Sequence, residues 1–323
     1  MLIVGLIVVN IAVWAGALVA FHGSAVLMGT AVLAYGLGLR HAVDADHIAA
    51  IDNVTRKLMH DGRPPRATGL FFSLGHSTVV MLAAVAVAFG ARALVHDSSS
   101  ADALRGVGTA LSAVFLLAIG VVNLIILRTV YRAFDELRRT GNVANTSGAF
   151  SGKVVARIAR PLFGLVKSSA YMYPLGFLFG LGFDTATEVG VLAIAAAEAT
   201  KGLSTWSVLI FPGLFAAGMA LVDTADTLVM VRVYGWALTH PARKLFYNFS
   251  ITLASVVVAL AIGGIEALGL VQARGRWTGS FWRTVEALNG NLGNLGYIVI
   301  ALFVASWIGS VLVYRAKGYH RLT

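Results

Sequence analysis

The chain has 323 residues, of which 58% are hydrophobic and 12% charged, and its mean hydropathy is +0.81. Soluble domains run at about 45–50% apolar and about 25% charged, so a single water-soluble core is excluded and a polytopic membrane protein is indicated. The net charge of +10 is no sign of nucleic-acid binding, because Lys and Arg collect in cytoplasmic loops of membrane proteins for topological reasons; the absence of cysteine excludes disulfides, thiolate metal sites and cysteine nucleophiles.

A spanning helix needs about 20 mostly apolar residues. On that criterion the sequence predicts an all-α protein of eight transmembrane helices: 2–21, 25–51, 69–90, 107–127, 171–198, 206–230, 246–271 and 294–314. The first is apolar from residue 2 and lacks a basic leader, so it reads as a span rather than a secretory signal. The second begins with the uncharged run 25–39 and then carries RHAVDADHIAAID at 40–52. Basic loops follow the second span (Arg56, Lys57, Arg63, Arg66), the fourth (Arg128 to Lys167) and the sixth (Arg232, Arg243, Lys244), and the tail adds Arg315, Lys317 and Arg321. The opposite loops hold far fewer, which places both termini in the cytoplasm.

Three regions result: residues 1–127 with four spans, a basic cytoplasmic linker at 128–170, and residues 171–323 with four more. The linker contains RRTGNVANTSGAFSGK, rich in Gly, Ser, Asn and Thr, and holds no histidine. GLGLRHAVDADH in span 2 is echoed by GLGFDTATEVG in span 5, which runs the opposite way. An inverted repeat relating spans 2–4 to spans 5–7 would build a site at the repeat interface.

The ionisable residues within spans are the candidate site. Charges at membrane depth are expensive and normally face a bundle interior or a pathway. Span 2 supplies Arg40, His41, Asp44, Asp46 and His47; span 3, His76; span 4, Asn123; span 5, Asp184, Thr187 and Glu188; span 6, Asp223 and Asp226. With a rise of about 1.5 Å per residue, they fall in one slab between the midplane and the inner interface. His41, Asp44 and His47, at i, i+3 and i+6, form a slanted stripe on a regular helix. Asp46 points elsewhere, either orienting a histidine or marking a helix broken near Gly36 and Gly38. Imidazoles with carboxylates suit a late first-row divalent metal, whereas Mg²⁺ or Ca²⁺ would take oxygen only.

Structural roles compete for several of these groups. Arg40 can simply pair with Asp44 or Asp184. His76 can pack against a backbone carbonyl. Asn123, Thr185, Thr187, Thr224 and Thr227 can be interhelical hydrogen-bonders. Asp223 and Asp226 can be solvated at the inner interface, and Glu198 and Glu266 are expected to be wet at the outer one. His22, His60, His96, His240 and His320 fall in loops or the tail and take no role.

These segments resemble the nickel/cobalt transporter family. Arg40 to His47 carries the family's span-2 motif complete. FFSLGHSTVV at 71–80, LGFDTATE at 181–188 and GMALVDTAD at 218–226 are similar to its further segments. The resemblance implies eight spans, cytoplasmic termini and metal binding in transit by His41, Asp46 and His47, completed by His76 and the acidic groups of spans 5 and 6. Val43, at the variable position of the motif, is similar to nickel-preferring members. The implied function is high-affinity uptake of Ni²⁺, with Co²⁺ as a further substrate, by a secondary transporter with no cofactor and no protein partner. No phosphate-binding loop for ATP is present. Export on the same scaffold is the alternative. A remote one is an intramembrane aspartyl protease, to whose Gly-x-Gly-Asp segment GLGFD is similar.

Overall fold

The structure is a computed structural model that describes residues 2–63, 65–88, 167–181, 186–237 and 241–316, with a discontinuous set between 109 and 135. The described residues are helical and contain no strand. In chain order the helices are α1 (Leu2–Phe21), α2 (Ala25–His41), α3 (Ala45–His60), α4 (Thr68–Ala88), α5 (Met172–Gly180), α6 (Ala186–Thr200), α7 (Thr205–Val208), α8 (Ile210–Ala237), α9 (Pro241–Gly275), α10 (Ser280–Asn289) and α11 (Leu292–Ala316). A shorter apolar helix, Ser112–Ile125, accompanies them. Most of the predicted linker 128–170 lies outside the described residues.

Among the described residues, four helices are long and apolar enough to cross a membrane, or up to six when each of two bent pairs counts as one span. The surface agrees with this: Val4, Ile11, Val19, Val26 and Trp206 are more than half exposed, as lipid-facing residues are.

α8 is the central helix. It packs on α1, α2, α3, α4 and α6, while α3 lies between α8, α9 and α11. In lipid, apolar packing gains no hydrophobic driving force, so helices associate through close backbone approach at small residues. α4 and α5 show this reciprocally. A Cβ at Gly75 would collide with the carbonyl of Tyr173, and one at Gly176 with the carbonyl of Phe72. Gly38 on α2 likewise lies on the backbone of Phe215 in α8. The larger core side chains, Phe21, Phe211, Leu214 and Phe215, fill the space between α1, α2 and α8.

The second span differs from expectation. α2 begins at the N-cap Ser24, whose hydroxyl accepts the Leu27 amide at 3.3 Å, and ends at His41. The chain turns through 53° at Ala42–Asp44 and continues as α3 to His60. The break is thus after the glycines, not at Gly36 or Gly38, because Gly38 is committed to helix contact. The extension also corrects the loop assignment of Arg56 and Lys57, which lie in α3. Arg56 is buried and donates to Thr252 Oγ1 at 2.6 Å. Glu198 and Glu266 are buried rather than wet, with Glu198 paired to Lys201 at 2.8 Å. α10 was not expected.

Candidate metal centre

The break between α2 and α3 makes the site. His41 is the last residue of α2, and His47 is in the first turn of α3. On one continuous helix, residues six apart are about 9 Å apart along the axis and point to different faces. Across the turn, their ring centroids are 4.6 Å apart. Asp44, in the N-cap position of α3, spans the corner: Oδ1 accepts from Arg40 at 2.6 Å, and Oδ2 faces His41 Nδ1 at 3.0 Å.

His76 arrives from the middle of α4. Its ring centroid is 4.7 Å from that of His41 and 4.9 Å from that of His47. One ring nitrogen from each of the three histidines lies within 4.8 Å of the other two. All three residues are closed off from solvent, at 0–2% exposure. Phe215 lies against His41 and Phe72 against His47, with centroids 5.4 and 4.8 Å away.

The first turn of α6 completes the cluster. Thr187 Oγ1 is 3.0 Å from His41 Nδ1, and Glu188 Oε1 is 2.8 Å from His76 Nε2. An ionised carboxylate only accepts, so His41 carries its proton on Nδ1, shared between Asp44 and Thr187. That leaves the His41 Nε2 lone pair facing His76 Nε2, at 3.0 Å. From α8, Asp223 Oδ2 stands 3.4 Å from His47 Nδ1. The other ring nitrogen of His47, Nε2, has no hydrogen-bond partner among the described residues. Such an orphaned buried group signals a missing ligand or a functional role.

This donor set suits a divalent transition metal. Two nitrogens bound side by side at about 2.1 Å from one ion lie about 3.0–3.4 Å apart, the spacing of the His41 and His76 nitrogens. Asp44 fixes a histidine's tautomer from behind, as carboxylates do around metal sites. The carboxylates of Asp44, Glu188 and Asp223 face the three imidazoles, and Arg40, one-third exposed, supplies a nearby fixed positive charge. Three carboxylates around one point favour a cation there.

The remaining sequence candidates fall elsewhere. Asp46 is half-buried, and its Oδ1 accepts the amide of His47 at 2.9 Å, outside the group of converging ring nitrogens. Asp184 and Thr185 lie outside the described residues. Asp226 is half-buried one turn beyond Asp223. Asn123 is buried and donates to Asn53, so it belongs to a second polar network. There Asp52 accepts from Tyr234 and, at 2.7 Å, from Ser255. Asp52, Asn53 and Arg56 lie in α3, beyond the predicted end of the second span at residue 51. Their signal was present: three polar residues on the helix that carries His47.

Residues 27–313 match the family model described as high-affinity nickel-transport protein. The chain belongs to that family. It is 53% identical over 318 residues to the high-affinity nickel transport protein of Cupriavidus necator, covering 97% of this chain and 91% of that one. It is 51% identical to the hydrogenase nickel incorporation protein HupN of Bradyrhizobium diazoefficiens, over 96% of this chain and 82% of the relative. A cobalt transport protein of Rhodococcus rhodochrous is 39% identical over 90% of this chain and 84% of its own length. No solved structure matches the chain. Membership of this nickel-transport family, whose members are transporters and not enzymes, removes the intramembrane-protease reading.

Proposed function

We propose that this chain is a secondary transporter that takes Ni²⁺, and Co²⁺ less readily, across the bacterial cytoplasmic membrane through the centre formed by His41, His47 and His76. The observation that carries the reading is the burial of three converging imidazoles beside Asp44, Glu188 and Asp223. We take the chain to have eight spans with cytoplasmic termini, and an inverted repeat to relate spans 2–4 to spans 5–7. Asp46, Asp184 and Asp226 are assigned to the path around the centre.

The chemistry follows from the cluster. A hydrated dication reaches the cluster, where imidazole nitrogens and carboxylate oxygens replace its water. Before metal arrives, the proton on His76 Nε2 is shared with Glu188 and His41. For the cation to bind there, the ring changes tautomer: the Nε2 proton is handed to Glu188, Nδ1 takes one up in exchange, and Nε2 is presented as a ligand. Asp44 and Thr187 keep His41 in the ligating tautomer throughout. The membrane potential supplies roughly 2.3 kcal/mol per charge per 100 mV, which drives a dication inward without ATP. Imidazole favours Ni²⁺ over Co²⁺ by the ordinary order of divalent affinities.

The test is uptake of radioactive nickel at nanomolar concentration, with excess Mg²⁺, in bacteria lacking their own nickel transporter. Cells expressing the chain accumulate nickel, and His41→Ala, present at equal membrane level, does not. A well-inserted wild type that accumulates no nickel overturns the reading.

A further inference from the structure

The angle at Ala42–Asp44 decides whether His41 and His47 face one another, so whatever holds that angle governs the centre. Part of the restraint is local. Val43 and Asp44 donate their amides back to Arg40 and His41 at 3.1 and 2.9 Å, and Arg40 grips Asp44. The rest comes from α11, some 250 residues away in sequence. Asn294 Oδ1 accepts from Arg40 Nη2 at 3.3 Å. Gly296 lies directly on the peptide after Val43. A Cβ there would collide with the Val43 carbonyl, 2.8 Å from its carbon, and stand 3.3 Å from the Ala45 nitrogen. Leu292 and Val299 flank Gly296 and are buried in one apolar cluster with Ala45, Ile48 and Ala49 of α3.

The backbone of Gly296 is ordinary helix, so its requirement is room and not conformational freedom. Not every helical glycine carries such a constraint: a Cβ at Gly29 of α2 meets nothing within 4 Å. α11 thus presses a side-chain-free surface against the peptide that redirects the metal-binding helix, and anchors Arg40 beside it.

We propose that α11 sets the geometry of the metal centre, with Gly296 and Asn294 as positioning residues that hold the break at its angle. This rests on the three histidines being the nickel site. Any side chain at position 296 pushes the Val43 carbonyl away, rotates α3 against α2 and separates the His41 and His47 rings. Loss of the Asn294 contact frees Arg40 and loosens Asp44, which in turn orients His41.

The test uses the full chain, with Gly296→Ala and Asn294→Ala set against Gly29→Ala as a control helical glycine. Nickel-uptake KM and Vmax are measured at matched membrane levels. The number of imidazoles around bound Ni²⁺ is read by X-ray absorption on detergent-purified protein. Displacing groups that orient ligands typically weakens metal affinity about 10–100-fold. Gly296→Ala is expected to raise KM about tenfold or more and to reduce the imidazole count. Asn294→Ala moves KM in the same direction by less, and Gly29→Ala leaves both unchanged. A Gly296→Ala protein with wild-type KM and spectrum overturns the proposal while leaving the nickel site intact. A wild type with no imidazole-bound nickel removes the site itself and the proposal with it. If Gly296→Ala does not reach the membrane, Asn294→Ala, which adds no atoms at the break, decides: an unchanged KM and spectrum overturn the proposal.

Discussion

His41 Nε2 stands 3.0 Å from His76 Nε2, across 35 residues of sequence and the contact between two helices. With one nitrogen protonated this is a hydrogen bond. With both lone pairs free it is the spacing of neighbouring ligands on one ion. The same separation thus serves the empty and the loaded centre, and on loading the two rings turn until both lone pairs point at the ion.

Removing a ligand should abolish transport. His47→Ala and His76→Ala are each expected to lower nickel uptake at nanomolar concentration by at least about 100-fold, beyond the 10–100-fold typical of outer-shell changes. Uptake corrected for membrane level checks this. The effects should be strongly non-additive, because His41→Ala combined with His76→Ala removes a site already lost.

Groups behind the ligands should matter less, and in order. Asp44→Asn keeps the size of the side chain but weakens its hold on His41 Nδ1 and on Arg40, so a KM increase of about 10–100-fold is expected. Thr187→Val removes the weaker contact on the same nitrogen and should raise KM by less. Reversal of that order, measured by initial rates over a range of nickel concentrations, would contradict the assignment of Asp44 as the group that fixes the ring.

The ion series follows from the donor set. Excess Mg²⁺ or Ca²⁺ should not compete with nickel, because both require oxygen ligands. Co²⁺ should compete, more weakly than unlabelled Ni²⁺. Competition by Mg²⁺ comparable with that by Co²⁺ would point to a carboxylate site without imidazole.

What the sequence showed and what it hid have physical causes. His41 and His47 stood out because so many ionisable groups in a few residues of an apolar span have no packing role, and His76 because its depth matched theirs. The position of the break did not stand out. Glycine is the usual suspect for a helix interruption, yet Gly38 is used for contact with Phe215, and the chain turns instead at Ala42–Asp44. The turn is held by Asp44 and by Gly296, a contact that no local pattern records. Arg56 looks like a loop cation in the sequence because Lys and Arg mark cytoplasmic loops. Its burial becomes visible only once Asn53 and Thr252 are seen around it.

The second polar network should support the fold without setting nickel affinity. Tyr234→Phe removes a donor to buried Asp52, which then keeps only the Ser255 hydrogen bond among those shown. Hydrogen bonds to charged groups contribute about 1.5–3 kcal/mol. A lower unfolding temperature in detergent with an unchanged uptake KM is expected. A raised KM with unchanged stability would move Asp52 into the metal path.

Close packing at Gly38 gives a separate check of the architecture. A Cβ there would come within 2.8 Å of the Phe215 backbone, so Gly38→Val should separate α2 from α8 and deplete folded protein from the membrane. Normal abundance and activity of Gly38→Val, measured together, would contradict the α2–α8 contact.

The central claim is that three histidines from α2, α3 and α4 bind one nickel ion together. X-ray absorption at the nickel edge, on purified full-length protein loaded with one equivalent of Ni²⁺, tests it most directly. The account predicts three imidazole nitrogens in the wild type and two after His76→Ala. A wild-type spectrum showing oxygen ligands alone, or one unchanged by His76→Ala, would contradict it.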